Sequence, residues 1–226
     1  MKKLIIAIAA CMIFGMADAQ DRRQMGGIYH AYPYASMADN LVDATPEGYT
    51  PFYLSHYGRH GSRWMTNDER YEWLYSYFAD RKNLTPLGRK VEKAMRKVLD
   101  NARGNGGRLS RLGAIQHEGI ARRMYSRLPQ IFAPGNRVKA RASVVDRCVK
   151  SMQAFTAMMR SLQPALEMDI AADSADMAWI AYTAPEVKEL EKSLNIVART
   201  NPERFMAQLF KDPAKVAEHM RFMSEM

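Results

Sequence analysis

The sequence predicts an α/β core followed by a helical appendage, and three observations carry this reading. Between Phe52 and Ala172, short strand-like runs alternate with longer segments of helical periodicity, the pattern of a sheet with crossover helices. From Pro185 onward the periodicity is helical only. Hydrophobic residues are 47% and charged residues 25% of the 226-residue chain, enough apolar material for a core. That composition excludes disordered, collagen-like and coiled-coil readings. There is no repeat at a fixed period.

The chain opens on a targeting pattern. Lys2 and Lys3 precede an apolar run from Leu4 to Met16, and Ala17-Asp18-Ala19 forms a small-x-small cleavage site before Gln20. Residues 1–19 are therefore expected to be a cleaved signal peptide, with the protein exported to the periplasm or secreted. The run is too short for a membrane span, and no later stretch reaches the about 20 apolar residues a span requires. A lipoprotein signal with the box Ile8-Ala9-Ala10-Cys11 is the less favoured alternative, because only a short apolar run precedes it. Cleavage would leave Cys148 as the single thiol, so no internal disulfide is expected.

After a polar lead, Phe52-Tyr53-Leu54-Ser55-His56-Tyr57 lies between Pro51 and Gly58. Apolar and aromatic residues on both alternating faces predict a strand covered on both sides. Asp68 to Ala79 carries Tyr71, Leu74, Tyr75 and Phe78 at helical spacing. Thr85-Pro86 is an N-cap with proline at the first helical position, opening a helix with Leu87, Val91, Ala94, Val98 and Ala102 on one face. Gly104-Asn105-Gly106-Gly107 ends it. Ser110 starts the next helix, stopped before Pro129. Arg137 to Ala142 reads as a short strand. Ser143-Val144-Val145-Asp146 has capping-box spacing and opens a helix with Cys148, Met152, Phe155, Met159 and Leu162 on one stripe. Met168 to Ala172 is a further short strand, and helices follow around Val187–Val197, Phe205–Leu209 and Val216–Met223. The expected organisation is a core over 20–165 and a helical cap over 166–226.

One segment concentrates chemistry: Gly58-Arg59-His60-Gly61-Ser62-Arg63, directly after the first strand. Ligands of open α/β sheets bind outside the carboxyl ends of strands. Two guanidinium groups flanking one imidazole repel its protonated form, an arrangement that makes sense around a multiply charged oxyanion. Arginine offers a fork matched to phosphate oxygens, and its charge is permanent. Positive neighbours bias His60 towards the neutral ring, whose lone pair can attack phosphorus. Arg147 adds a second arginine beside a strand end and a helix N-terminus, a favourable place for an anion.

These residues resemble the histidine phosphatase superfamily, in its acid phosphatase branch. Arg59, His60, Gly61 and Arg63 match the nucleophile motif Arg-His-Gly-x-Arg. Leu109-Ser110-Arg111-Leu112-Gly113 with Gln116 resembles the helix motif Leu-Thr-x-x-Gly-x-x-Gln, and Arg141-Ala142-Ser143, Asp146-Arg147 and Ser151 resemble the later strand–helix motif. Ser62 and Trp64 look most like the multiple inositol polyphosphate phosphatases. The resemblance spans roughly residues 50–165. It implies a histidine-phosphatase-like sheet flanked by helices, with the helices after Pro185 as the start of a helical cap. It also implies that His60 is the catalytic nucleophile forming a phosphohistidine, with Arg59, Arg63 and Arg147 as phosphate-binding residues.

Two departures stand out. Met65 occupies a position where the branch often has proline, which is expected to loosen that turn. The branch's second histidine, followed by Asp or Ala-Glu, has no counterpart: His117-Glu118 lies inside a helix, His219 has no acid after it, and His30 precedes the first strand. The chain is therefore expected to represent the N-terminal half of a longer enzyme, inactive or weakly active alone.

The net charge of +9 suits an anionic, phosphorylated small-molecule substrate. No recognition-helix, zinc or ribonucleoprotein motif accompanies the charge, so no nucleic acid partner is expected. His and acidic residues show no metal-ligand spacing, so no metal or other cofactor is expected. The sequence reading is thus an exported phosphomonoesterase acting on inositol polyphosphates such as phytate. The alternatives are a general acid or bisphosphoglycerate phosphatase of the same fold, or a non-catalytic anion-binding fragment.

Overall fold

Helix caps set most of the architecture. A computed structural model describes Tyr32 and residues 45–180, 184–193 and 202–216. The expected signal peptide, His30 and the helical pattern beyond residue 216 lie outside the described residues.

Helix α1 is Glu69–Ser76, α2 is Pro86–Ala102 and α3 is Arg111–Arg127. Strand β1 (Arg137–Arg141), helix α4 (Asp146–Leu162) and strand β2 (Glu167–Ala171) form one β–α–β unit. Its strands pair in parallel, from Arg137 opposite Glu167 to Arg141 opposite Ala171. A 3₁₀ turn (Ser174–Asp176) leads into α5 (Met177–Ile180), α6 (Pro185–Ser193) and α7 (Pro202–Leu209), and 213–216 is helical again. The fold is mixed: helices with a small two-stranded parallel sheet, an α/β arrangement. No helix among the described residues is long and apolar enough to cross a membrane.

Helices α3 and α4 pack on one another. Ala121, Phe132, Met159 and Leu166 form a core cluster joined by Leu54, Val138, Phe155 and Met168, which ties the helix pair to the sheet. Leu166 and β2 fall in the segment assigned from sequence to the cap, yet they pack and pair with β1. A second cluster joins Phe78 and Leu84 to Leu209, Phe210 and Val216, so the 202–216 segment packs against the start of α2.

Three local expectations change. Residues 52–57 form no strand: no backbone partner is present for them among the described residues. Phe52 is 94% exposed, and Tyr53 and Tyr57 are exposed too. Extended backbone becomes a strand only when a neighbour satisfies its N–H and C=O groups. What ties this segment down is side chains: Leu54 packs in the core, His56 stacks on Phe155 and the Tyr57 hydroxyl donates to the Ile180 carbonyl.

Ser143 does not cap α4. The N-cap is Val145, whose carbonyl accepts from the amides of Cys148 and Val149, and Ser143 lies two residues too early. The buried face of α2 is also rotated by one residue. Gly88, Glu92, Leu99 and Ala102 are buried, while Leu87 and Val98 are exposed. Gly88 turns inward because the Leu209 carbonyl lies where its side chain would be.

Candidate functional site

The loop carrying His60 is fastened to the first turn of α3 by a compact backbone joint. Ser110 is the N-cap of that helix, its hydroxyl accepting from the Gly113 amide at 3.1 Å. The same hydroxyl donates to the Ser62 carbonyl at 2.7 Å, and the Ser110 amide donates there at 2.9 Å. One residue outward, Arg63 and Leu109 form an antiparallel bridge. A side chain at Gly113 would collide with Ser62, and one at Gly61 would come within 2.6 Å of the Gly113 Cα, so glycine is required on both sides. Gln116, fully buried one turn further on, accepts from the Ser62 amide at 2.8 Å.

From the other side α4 reaches the loop. The Gly61 amide donates to Ser151 Oγ at 3.1 Å, and that hydroxyl donates to the Arg147 carbonyl at 2.8 Å. The turn after Arg63 is held rather than loosened by Met65. Its amide donates to the Tyr71 hydroxyl at 2.7 Å, a bond that proline could not make, and its carbonyl accepts from Gly107 at 2.6 Å.

On this frame the four residues singled out from sequence come together. His60 feels the charges of Arg147, Arg59 and Arg63. Burial is the largest influence on its ring, and the three guanidinium groups add to it, pulling its pKa below the ordinary value; the hydrogen bond to Gly61 opposes them. That bond runs between Nδ1 and the Gly61 carbonyl at 2.8 Å. A carbonyl only accepts, so Nδ1 carries the proton and Nε2 of the neutral ring holds the free lone pair.

The guanidinium groups are short of partners. Nη1 of Arg63 donates to the Trp64 carbonyl, but Nε of Arg63 and Nε of Arg147 are buried without a hydrogen-bond partner. Among the described residues no ion pair engages Arg59, Arg63 or Arg147. Burial, followed by repulsion from Arg147 and Arg59, lowers the pKa of Arg63. Buried donors of this kind are rare and call for an acceptor. Among the described residues no group of His, Cys, Asp and Glu is placed to hold a metal ion.

His117 belongs to this site in a way the sequence reading did not assign. It is buried on α3 near the backbone of Arg59 and near His60. Burial is the largest influence on its ring and holds it towards the neutral form, which makes it a poor proton donor. The signal was available in the spacing Ser110, Gly113, Gln116, His117. A cap followed by residues at three- and four-residue steps lines one helix face with groups that grip a crossing backbone. Cys148 is half-buried on α4. No protein-family model matches the chain, and no curated protein matches it.

Proposed function

We propose that the loop 58–63 is the phosphate-binding and nucleophilic centre of an exported histidine-type phosphomonoesterase acting on inositol polyphosphates. The observation that carries the reading is the cluster itself: among the described residues, one imidazole with Nε2 free, three arginines unpaired with acids, and two buried guanidinium N–H groups without acceptors. A tetrahedral dianion supplies the acceptors and charge that this cluster lacks. In the reaction, Nε2 of His60 attacks phosphorus and the P–O bond to the alcohol breaks. Water then hydrolyses the phosphohistidine to release phosphate. Arg59, Arg63 and Arg147 hold the non-bridging oxygens as charge develops, the main contribution a protein makes to phosphoryl transfer. Resemblance in three ordered motifs supports a histidine-phosphatase-like core, and Ser62 and Trp64 support the inositol-phosphate preference.

A second reading, anion binding without turnover, is favoured by the neighbourhood of His60. Among the described residues, the titratable groups that act on it are guanidinium groups and His117, none suited to protonating a leaving alkoxide. An activated ester separates the two, because p-nitrophenolate leaves without a proton. Rapid quench of the chain with p-nitrophenyl phosphate should trap phosphate on His60, detected by peptide mass spectrometry and absent in His60→Ala. Tight phosphate binding with no trapped phosphohistidine would select the binding-only reading. Neither binding nor trapping would sink both.

A further inference from the structure

We propose that a basic hollow against helix α2 is a second anion site, distinct from the His60 loop, which takes a compact, multiply phosphorylated molecule. The hollow has a volume of about 640 Å³ and is lined by Arg81, Arg89, Lys90, Glu92, Lys93 and Arg96. That volume lies within the roughly 300–1,000 Å³ of small-molecule sites. None of its lining residues belongs to the His60 cluster, and the proposal stands whether or not the phosphatase reading does.

The hollow is built, not a random scatter of surface charge. Residues 89, 92, 93 and 96 share one face of α2 by their three- and four-residue spacing. The side chain of Glu92 is 5% exposed and lies within 3.7 Å of Arg81 and 3.4 Å of Arg96. Tyr75 locks the arrangement: its hydroxyl donates to Glu92 at 2.7 Å and accepts from Arg96 Nε at 2.9 Å, with its ring under that guanidinium. Arg89 is tied through Nη1 to the Leu84 carbonyl. One carboxylate therefore orients two arginines, a backbone carbonyl orients a third, and Lys90 and Lys93 add charge with no acid beside them among the described residues. Five cations stand around one carboxylate, a surplus of positive charge that a polyanion offsets. No aromatic ring lines the hollow, whose wall is Arg and Lys stems ending in charged heads. Five cationic heads along one wall fit several phosphates on a small scaffold.

Isothermal titration of the full chain with inositol hexakisphosphate tests this, using Arg147→Ala to silence the His60 loop. Binding should persist in Arg147→Ala and weaken at least about tenfold when Lys90→Ala and Lys93→Ala are added, with a shallower salt dependence. Both lysines are exposed, so their removal leaves the core intact. Inorganic phosphate should bind at least about tenfold more weakly, because it engages fewer cations at once. Loss of all binding in a folded Arg147→Ala chain would overturn the proposal, as would indifference to the lysine changes or tighter binding of single-stranded DNA. Binding wholly unaffected by Arg147→Ala would instead remove the anion site at His60 and leave the hollow standing.

Discussion

Two joints in this molecule use the same backbone device and carry different cargo. At Ser110-Arg111-Leu112-Gly113 the cap hydroxyl and amide both grip the Ser62 carbonyl; at Thr85-Pro86-Leu87-Gly88 the amide grips the Leu209 carbonyl, while the hydroxyl donates chiefly to the neighbouring Gln208 carbonyl at 2.6 Å. In each, the cap oxygen also accepts from the glycine amide three residues on. In each, the glycine leaves room for the carbonyl being gripped. The residue before the cap bridges the crossing segment, Leu109 with Arg63 and Leu84 with Phe210. The difference lies in what the gripped segment presents. Leu209 and Phe210 enter a sealed apolar cluster with Phe78, Leu84 and Val216. The other segment presents His60 and Arg63, whose polar groups stay incompletely satisfied. A backbone motif can thus fix position without fixing function, and the docked side chains decide between cohesion and chemistry.

The largest expected contrast comes from those side chains. Arg147→Ala should slow phosphoryl transfer to His60 by about 2–4 kcal/mol of transition-state stabilisation, as for loss of an oxyanion donor, and leave the Thr85 joint untouched. Leu209→Ala should do the reverse, costing about 2–5 kcal/mol of stability with transfer intact. Quench-flow rates and urea melts of both variants measure this. Equal loss of transfer in the two would show that the joints are one unit.

Next come the glycines. Gly113→Ala and Gly88→Ala should each destabilise by about 1–3 kcal/mol through overpacking, but only Gly113→Ala should also weaken phosphate binding. Thermal melts with and without phosphate separate these effects. Phosphate-induced stabilisation lost equally in both variants would contradict the separation. The caps follow: Ser110→Ala and Thr85→Ala should each cost about 1 kcal/mol. Only the serine change should alter the rate at His60, because its hydroxyl also holds the Ser62 carbonyl.

The smallest effect is pH dependence, and it sharpens the comparison because no histidine lies in the apolar cluster of the Thr85 joint. Both His60 and His117 have pKa values lowered in the fold, chiefly by burial. As pH falls below about 6.5, the unfolded chain takes up these protons before the folded chain does, so stability is full above that pH and declines below it. His117→Asn should flatten the decline in urea melts taken from pH 7.5 to 5. Nucleophilic transfer should persist below pH 6.5 and fall once His60 protonates. Arg147→Ala should move that fall upward, because a cation that disfavours protonation is gone. An acid limb unmoved by Arg147→Ala would mean that His60 is not the group being titrated.

Much of the fold was legible because its signals are local. Thr85-Pro86 and Ser110 announced their helices, and the β–α–β order of 137–171 followed from alternation of period. The grouping of Arg59, His60, Arg63 and Arg147 rested on residue type and on position after two expected strands, of which only β1, before Arg147, forms among the described residues. The expected strand over 52–57 is not borne out for a non-local reason, since its pattern is strand-like but no neighbour among the described residues offers a ladder. Apolar spacing likewise misjudged the buried face of α2. There a glycine and a carboxylate point inward, the one towards a crossing carbonyl and the other towards Tyr75 and two arginines.

The sequence by itself determined the Thr85 and Ser110 caps, the strand–helix–strand order of 137–171 and the residue types of the His60 cluster. These depend on hydrogen bonds and dihedral preferences within a few residues of each other. Only the tertiary structure decided that Gly61 and Gly113 meet, that Gln116 and Ser151 hold the loop, and that Nδ1 of His60 is the occupied nitrogen. Each of these pairs a backbone group with a partner far along the chain or fixes a ring against a particular carbonyl. Such choices are set by which surfaces the packed chain brings within hydrogen-bond reach.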